Sequence, residues 1–413
     1  MSEAAWSDEE LLGMDTSTSA DELEIKRDPI GTYIDRLERY GREARYVANM
    51  EAILVEFQAV LRDEHGEHLC NIDDSHVIAF NRHLKRAEYY RTRTRANSDE
   101  PAPIDISDQT RHEQIRRLST FYAWLADDVG VVSSNPAKQA LNNLSESEFR
   151  ASPPDRPRIE FEEMADFVAW IDDPLPRTLV LFLLKSGARM GEALNVDLCC
   201  LNLDHPVYHA IAEREDVELL PEVSGRPDTV FLDPGFQAGT EIRGEVRESG
   251  SKRQRAGGTI VPLDAELKMA LVEYLLTRRP TIDETVSPLF AMPSLRGHHR
   301  LTSASTSAML TASGSSPGIL QDYGWWEPGA STAEKVTAHY FRHYFTHNHR
   351  HNQGVHDGSM PETVIAYIRG DAPDRSTARG DNYRHLSWND WESQVKEPYL
   401  EGIYQFGVYG DRQ

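Results

Sequence analysis

The chain has 413 residues, with 44 Lys and Arg against 67 Asp and Glu, for a formal charge of −23. That length exceeds what one domain normally holds, so two or three domains are expected, each able to bury a core. No apolar run approaches the roughly 18 residues of a membrane span, and the N-terminus lacks a charged-then-apolar leader pattern, which excludes a membrane partner and makes a cytoplasmic location the expectation.

The acid excess has two readings. One is a protein that avoids nucleic acid, because phosphate binding needs Lys and Arg. The other is a halophilic protein of a salt-rich cytoplasm, whose acidic surface preserves solvation and says little about local sites. Clustering of the basic residues favours the second. Cys70, Cys199 and Cys200 have no metal-ligand spacing, and the vicinal pair sits in an apolar run, so reduced thiols without a disulfide framework are expected.

In chain order, residues 1–27 are acidic and aperiodic and read as a flexible arm. Residues 28–140 read as a helical domain. Ile34, Leu37 and Tyr40 recur at helical spacing, as do Ile53, Leu54, Phe57, Val60 and Leu61 in a second helix that ends near Gly66. Asp73-Asp74-Ser75 reads as the capped entry to a third helix carrying Val77, Phe80 and Leu84. After a loop over 91–108, Ile115, Leu118, Phe121, Tyr122 and Leu125 mark a fourth helix, which stops near Gly130 before Asn135-Pro136. Basic residues line these helices and the loop: Arg36, Arg39, Arg42 and Arg45, then Arg91, Arg93 and Arg95, then Arg111, Arg116 and Arg117. A charge run on a helix is usually a solvated face. In so acidic a chain, concentrated basic stripes point to a nucleic-acid surface.

Residues 141–158 read as a Ser- and Pro-rich linker, and 159–413 as a second domain. Phe161 to Ile171 and Thr178 to Lys185 read as helices, the latter buried. Ser186-Gly187 breaks the second of these, and Ala188 to Leu194 starts another, with Arg189 and Glu192 in its first turn. Asp204 to Asp228 reads as irregular. Thr229 to Leu232, Glu241 to Glu248 and Thr259 to Val261 read as strands, the last two flanking the basic segment Ser249 to Gly258 as a hairpin. Helices are predicted over Ala265 to Arg278 and Pro361 to Ile368, and Ser303 to Ser316 reads as a weak helix or a loop.

The stretch Thr337-Ala338-His339-Tyr340-Phe341-Arg342-His343 carries the densest chemistry. On a helix His339, Arg342 and His343 fall at i, i+3 and i+4 and share one face. Thr337 as N-cap would place His339 in the first turn, where free amides and the helix dipole favour an anion, hence a phosphate. Two blander or rival readings stand beside this one. The histidines could be packed core residues, or His339 with His343, and His343 with His347, could grip a metal at i, i+4 as in a metal-dependent hydrolase. No glutamate lies inside either pair, and Arg342 beside them would repel a cation.

Ser186-Gly187-Ala188-Arg189-Met190-Gly191-Glu192, the Lys252 segment before Ile260-Val261-Pro262-Leu263, His339-x-x-Arg342-His343 and Asn382-Tyr383-Arg384-His385, in that order, resemble the tyrosine recombinase (phage integrase) family over about residues 30 to 400. The resemblance implies a mainly α fold with a small antiparallel β-sheet: an N-terminal helical core-binding (SAM-like) domain followed by the recombinase catalytic domain. It also implies double-stranded DNA as partner, homodimers or homotetramers on DNA, no cofactor and no metal.

The family's chemistry maps onto named residues. Two guanidiniums, Arg189 and Arg342, would bind the nonbridging oxygens as charge builds in the pentacoordinate transition state. Tyr383 would attack phosphorus and retain it as a phosphotyrosine, with Tyr399 as a competing position. Lys252 would protonate the leaving 5′ hydroxyl, with Lys268 as its rival, and His339 would contact the phosphate or help to deprotonate the tyrosine. Glu192 and His343 would support these groups. The family usually places His or Trp after a glycine upstream of the nucleophile, whereas here Gly370 is followed by Asp371, the candidate for that sixth position. This departure favours an alternative, a noncatalytic DNA-binding protein on a degenerate recombinase fold.

Overall fold

A computed structural model describes residues 20–42, 44–85, 108–144, 157–233, 235–254, 257–282, 286–293, 300–313, 316–328, 335–351, 360–371 and 388–410. The chain divides into two compact units, Met1–Pro154 and Asp155–Gln413.

In the first unit each predicted helix forms where apolar spacing and a cap coincide. Pro29–Arg39 (α2) starts behind Asp28, whose carboxylate accepts from Gly31 N at 2.8 Å, and buries Ile30, Tyr33 and Leu37 on one face. Ala44–Val60 (α3) continues through one wide turn, Leu61–His65, to Gly66, left-handed at φ 67°. Asp74–Lys85 (α4) enters behind Asp73, which accepts from Ser75 N at 3.0 Å. Asp108–Ala123 (α5) extends through Trp124–Val129 to Gly130. Tyr33, Phe57, Phe80, Phe121 and Tyr122 meet in the core.

Two further helices depart from the sequence reading. Ala20–Arg27 (α1) lies inside the stretch assigned to a flexible arm, because Ile25 packs against the core despite the acidic surroundings. Pro136–Asn143 (α6) runs past the expected boundary at 140. Asn135 caps it by accepting from Lys138 N at 2.9 Å, and Ala137 and Ala140 are buried.

The second unit is built around a helix buried on all sides, Pro174–Ser186 (α8), which follows Phe161–Trp170 (α7). It packs against Ala265–Thr277 (α11) and Ala338–His351 (α14). Lys185, near the end of α8, is fully buried and pairs with Asp264 at 2.5 Å and Glu266 at 2.7 Å. It also donates to Tyr404 O at 2.9 Å, which ties the C-terminal segment to the core.

A three-stranded antiparallel sheet orders Leu201–Asn202 (β1), Thr229–Leu232 (β2) and Thr259–Pro262 (β5), with Leu201 opposite Val230 and Leu232 opposite Thr259. This corrects the expected hairpin. The partner of Thr259–Pro262 is Thr229–Leu232, and the basic segment belongs to the long connection between them. Glu241–Ile242 (β3) instead pairs with Glu245–Val246 (β4) across Arg243-Gly244, both residues at positive φ (56° and 85°). That is the two-residue turn that right-handed strand twist selects. The physical reason is burial: β2 is buried throughout, so it needs an apolar partner such as Thr259–Pro262, while Glu241 is exposed.

Pro206–Arg214 (α10) is a second correction, because it lies within the stretch read as irregular. His205 caps it through Val207 N at 3.2 Å, Pro206 occupies the first turn, and Tyr208 and Ile211 are buried. Ser303–Leu310 (α12) is capped by Thr302, and Ala312–Ser313 (β6) pairs with Ser316–Pro317 (β7). Ile319–Asp322 (α13), Glu362–Arg369 (α15), Trp388–Trp391 (α16) and Glu397–Gly402 (α17) complete the unit, with Met190–Leu194 (α9) between α8 and β1.

Candidate functional site

The end of α8 sets the site. Gly187 takes a left-handed conformation (φ 55°), and a Cβ there would stand 2.7 Å from Phe345 Cδ1, so the chain turns close beneath α14. Two residues on, Arg189 sits at the N-cap of α9 rather than in its first turn. Its backbone N donates to Glu192 Oε2 at 3.0 Å and its Nη1 to Glu192 Oε1 at 3.0 Å.

Glu192 is the buried hub. Its carboxylate also accepts from Lys252 N at 3.4 Å, forms an ion pair with the Arg253 guanidinium at 3.3 Å, and lies 4.0 Å from Arg342 Nη1. Burial alone would raise its pKa. The Arg253 guanidinium and the hydrogen bonds from Arg189 outweigh burial and hold it below the usual glutamate value.

From the opposite side, α14 inserts Arg342, 2% exposed. Its Nη1 donates to the carbonyls of Gly187 and of Arg369, the latter at 3.0 Å, and its Nη2 to Asp371 Oδ1 at 3.0 Å. Burial, and then repulsion from Arg189 and Arg369, pull its pKa down to about 10. Arg369 pairs with Asp371 Oδ2 at 3.3 Å. Gly370, left-handed at φ 67°, closes α15, and a Cβ there would stand 2.7 Å from Arg253 Nη1.

The structure therefore gathers Arg189, Arg342, Glu192 and Asp371 with the backbone of Lys252, and adds Arg253 and Arg369, which the sequence reading missed. Four guanidiniums against two carboxylates leave an excess of two positive charges, the requirement for an anion seat. Both missed arginines adjoin named positions, Lys252 and Gly370, and that adjacency was the available signal. The pairing of Asp371 with Arg342 was not readable, because it links residues on α14 and beyond α15.

The Lys252 side chain is exposed, and its carbonyl accepts from Arg189 Nη1 at 3.4 Å. Lys268, its rival on α11, pairs with Asp228, just before β2, at 2.9 Å. His339 is exposed at the second position of α14, its ring 4.5 Å from that of His343 and nearly perpendicular. Tyr383 lies outside the described residues. Its competitor Tyr399 is buried in the core and donates to Lys185 O at 3.0 Å, and Tyr404 donates to Leu184 O at 2.6 Å. Burial pushes both phenols well above the usual tyrosine value. Among the described residues no group of three His, Cys, Asp or Glu is placed to hold a metal ion.

In the first unit Arg42 is exposed, and Arg116 is largely exposed with Glu113 at 3.6 Å. Arg36 pairs with Asp128 at 2.6 Å and Arg117 with Glu113 at 3.4 Å. Arg111 departs from the basic stripe: it is buried, donating to Asn81 at 2.8 Å and pairing with Asp108. It is a core residue. Arg91, Arg93, Arg95 and the side chain of Arg45 lie outside the described residues.

No family model matches the sequence, and no curated protein matches it. Among solved structures, the Tn1549 transposon integrase in complex with a circular intermediate DNA is similar with a TM-score of 0.52 at 15% identity, covering 89% of this chain and 98% of that one. The same integrase in complex with transposon right end DNA is similar with a TM-score of 0.53 at 13% identity, again over 89% and 98%. At such identity the likeness is one of fold. The chain has the integrase fold, mainly helical with a small antiparallel sheet.

Proposed function

We propose that this protein is a tyrosine-type site-specific DNA recombinase that cuts and rejoins DNA strands. The observation that carries the reading is the convergence of Arg189, Arg253, Arg342 and Arg369 on one buried carboxylate and one half-buried one, on a fold shared with integrases solved on DNA. In this reading Arg189 and Arg342 hold the nonbridging oxygens of the scissile phosphate, and Glu192 keeps both guanidiniums in place. The Tyr383 oxygen forms a bond to phosphorus as the bond to the 5′ oxygen breaks, and Lys252 gives that oxygen its proton. His339 donates to the phosphate or receives the tyrosine proton. The 3′-phosphotyrosyl link conserves the bond for rejoining, so no nucleotide or metal cofactor is required. Double-stranded DNA is the partner, with pairs or tetramers of the chain assembling on it.

Incubation with duplexes nicked near the target site should trap a covalent adduct that maps to Tyr383 and is absent in Y383F. An adduct that persists in Y383F would overturn the nucleophile assignment.

The Arg342–Asp371 pair supports a second reading, a DNA-binding protein without cleavage, because the carboxylate occupies a guanidinium edge that a phosphate would need. D371N separates the two. Removing a partly exposed ion pair should tighten DNA binding about three- to tenfold, corresponding to ~1 kcal/mol. If Asp371 only shields Arg342, adduct formation rises with it; tighter binding with no adduct on a verified cognate site favours binding alone.

A further inference from the structure

Away from the arginine cluster, Leu198–Cys200 forms a single tight turn leading into β1. It holds the two vicinal thiols with Sγ atoms 3.9 Å apart. Cys199 lines a cleft of about 360 Å³ together with Asp197, Glu215, Leu219, Arg243 and Ser287. Arg243, at the left-handed turn between β3 and β4, pairs with Asp197 at 3.1 Å and sets its Nη1 against the Cys199 sulfur. Cys200 lies behind Cys199, fully buried. One thiol thus faces a cleft beside a guanidinium, and a second stands behind it within one side-chain movement.

We propose that Cys199 and Cys200 form a redox-modification site, in which Cys199 is the attacking thiolate toward a hydroperoxide and Cys200 resolves the product into a vicinal disulfide. In the first step the Cys199 sulfur bonds to the distal peroxide oxygen, the O–O bond breaks, and the leaving alkoxide or hydroxide takes a proton from solvent. Cys199 becomes a sulfenic acid. In the second step the Cys200 sulfur attacks that of Cys199, the S–O bond breaks, and the departing hydroxide leaves as water with the Cys200 proton. The peroxide is reduced and the thiol pair oxidised by two electrons.

The electrostatics suit the division of labour. The hydrogen bond with Cys200, with help from Arg243 against burial and Asp197, holds the Cys199 thiol below its ordinary value, while Cys200 is pushed well above. Cys70, pushed up to about 12 by burial, is an internal reference. Adjacent Cα atoms are about 3.8 Å apart, closer than disulfides prefer, so the product should be a readily reduced, reversible bond.

The test treats the full chain with hydrogen peroxide and follows each thiol by alkylation and mass spectrometry. Cys199 and Cys200 should be lost together into one disulfide that dithiothreitol restores, while Cys70 persists. C200S should stop at a Cys199 sulfenic acid that dimedone captures. R243A should slow Cys199 oxidation measurably by removing the cation that favours the thiolate, and R243K should restore it. Phenylarsine oxide, which bridges neighbouring thiols, gives a readout independent of the Arg243 variants: uptake by the native chain and loss of uptake in both C199S and C200S support the site. Oxidation of Cys70 as fast as Cys199, or no arsenical uptake by the native chain, would overturn it.

Discussion

At the scale of single residues, the candidate site depends on a buried carboxylate whose ion pairs are with the chain's own arginines. Glu192 holds Arg189 and Arg253 and lies at the edge of contact with Arg342, and its side chain is 1% exposed. Removing one partner from a buried ion pair leaves an uncompensated charge, which costs about 3–5 kcal/mol. E192Q should lose about 3 kcal/mol by urea denaturation at neutral pH, on that scale. The sign with pH follows from linkage. A glutamate held below its unfolded value of about 4.3 contributes stability that is fully present above that pH and is lost as pH falls through the folded value. The gap between wild type and E192Q should therefore close below about pH 4. A gap that persists to lower pH would mean that Glu192 acts through packing alone.

At the scale of elements, Gly187 and Gly370 determine how the helices deliver their arginines. Gly187 is left-handed with Phe345 directly over it, and its carbonyl accepts from Arg342. G187A should destabilise the chain by about 2–4 kcal/mol, combining the left-handed penalty with overpacking, as read by a fall in midpoint of chemical denaturation. A neutral G187A would show that α8 and α14 can separate at no cost.

The helices themselves were legible. Ile115, Leu118 and Tyr122 recur at helical spacing before the left-handed Gly130 and are buried, whereas of Ile34, Leu37 and Tyr40 only Leu37 is buried: α2 turns Ile30 and Tyr33 inward beside it and leaves Tyr40 exposed. His339 and Arg342 could be placed on one helix for the same reason, before any tertiary contact was known. Strand pairing was not legible. Strands of two to four residues carry almost no register signal, so sequence proximity points Thr259 to Val261 at the near segment rather than at Thr229–Leu232, its partner in the sheet. Short apolar contributions such as Ile25 and Tyr208 were likewise hidden by acidic neighbours, which is why α1 and α10 read as irregular. In the site, the order Arg189, Lys252, Arg342 was readable, whereas Arg253, Arg369 and the Asp371 contact depend on packing between segments far apart in sequence.

At the scale of the whole molecule, a charge of −23 must be reconciled with the proposed binding of a polyanion. The described basic residues of the first unit answer this in part, because several carry a carboxylate already: Arg36 with Asp128, and Arg116 and Arg117 with Glu113. A guanidinium that trades such a partner for a phosphate releases fewer mobile ions than a free one. The dependence of affinity on salt should be correspondingly shallow. An ordinary binder making about 6–10 phosphate contacts shows a log–log slope of roughly −5 to −9, at about −0.9 per contact. We expect a slope smaller in magnitude than about 5 for this chain, measured by titrating duplex DNA across a salt series. E113Q, which frees Arg116 and Arg117 together, should steepen the slope by about one to two. It should also raise affinity at low salt more than at high salt, because the added charges are exposed and screened beyond a Debye length of about 10 Å at 0.1 M. A wild-type slope as steep as −6, unchanged by E113Q, would show that these intramolecular pairs do not compete with DNA and that the acidic surface leaves the contact face untouched.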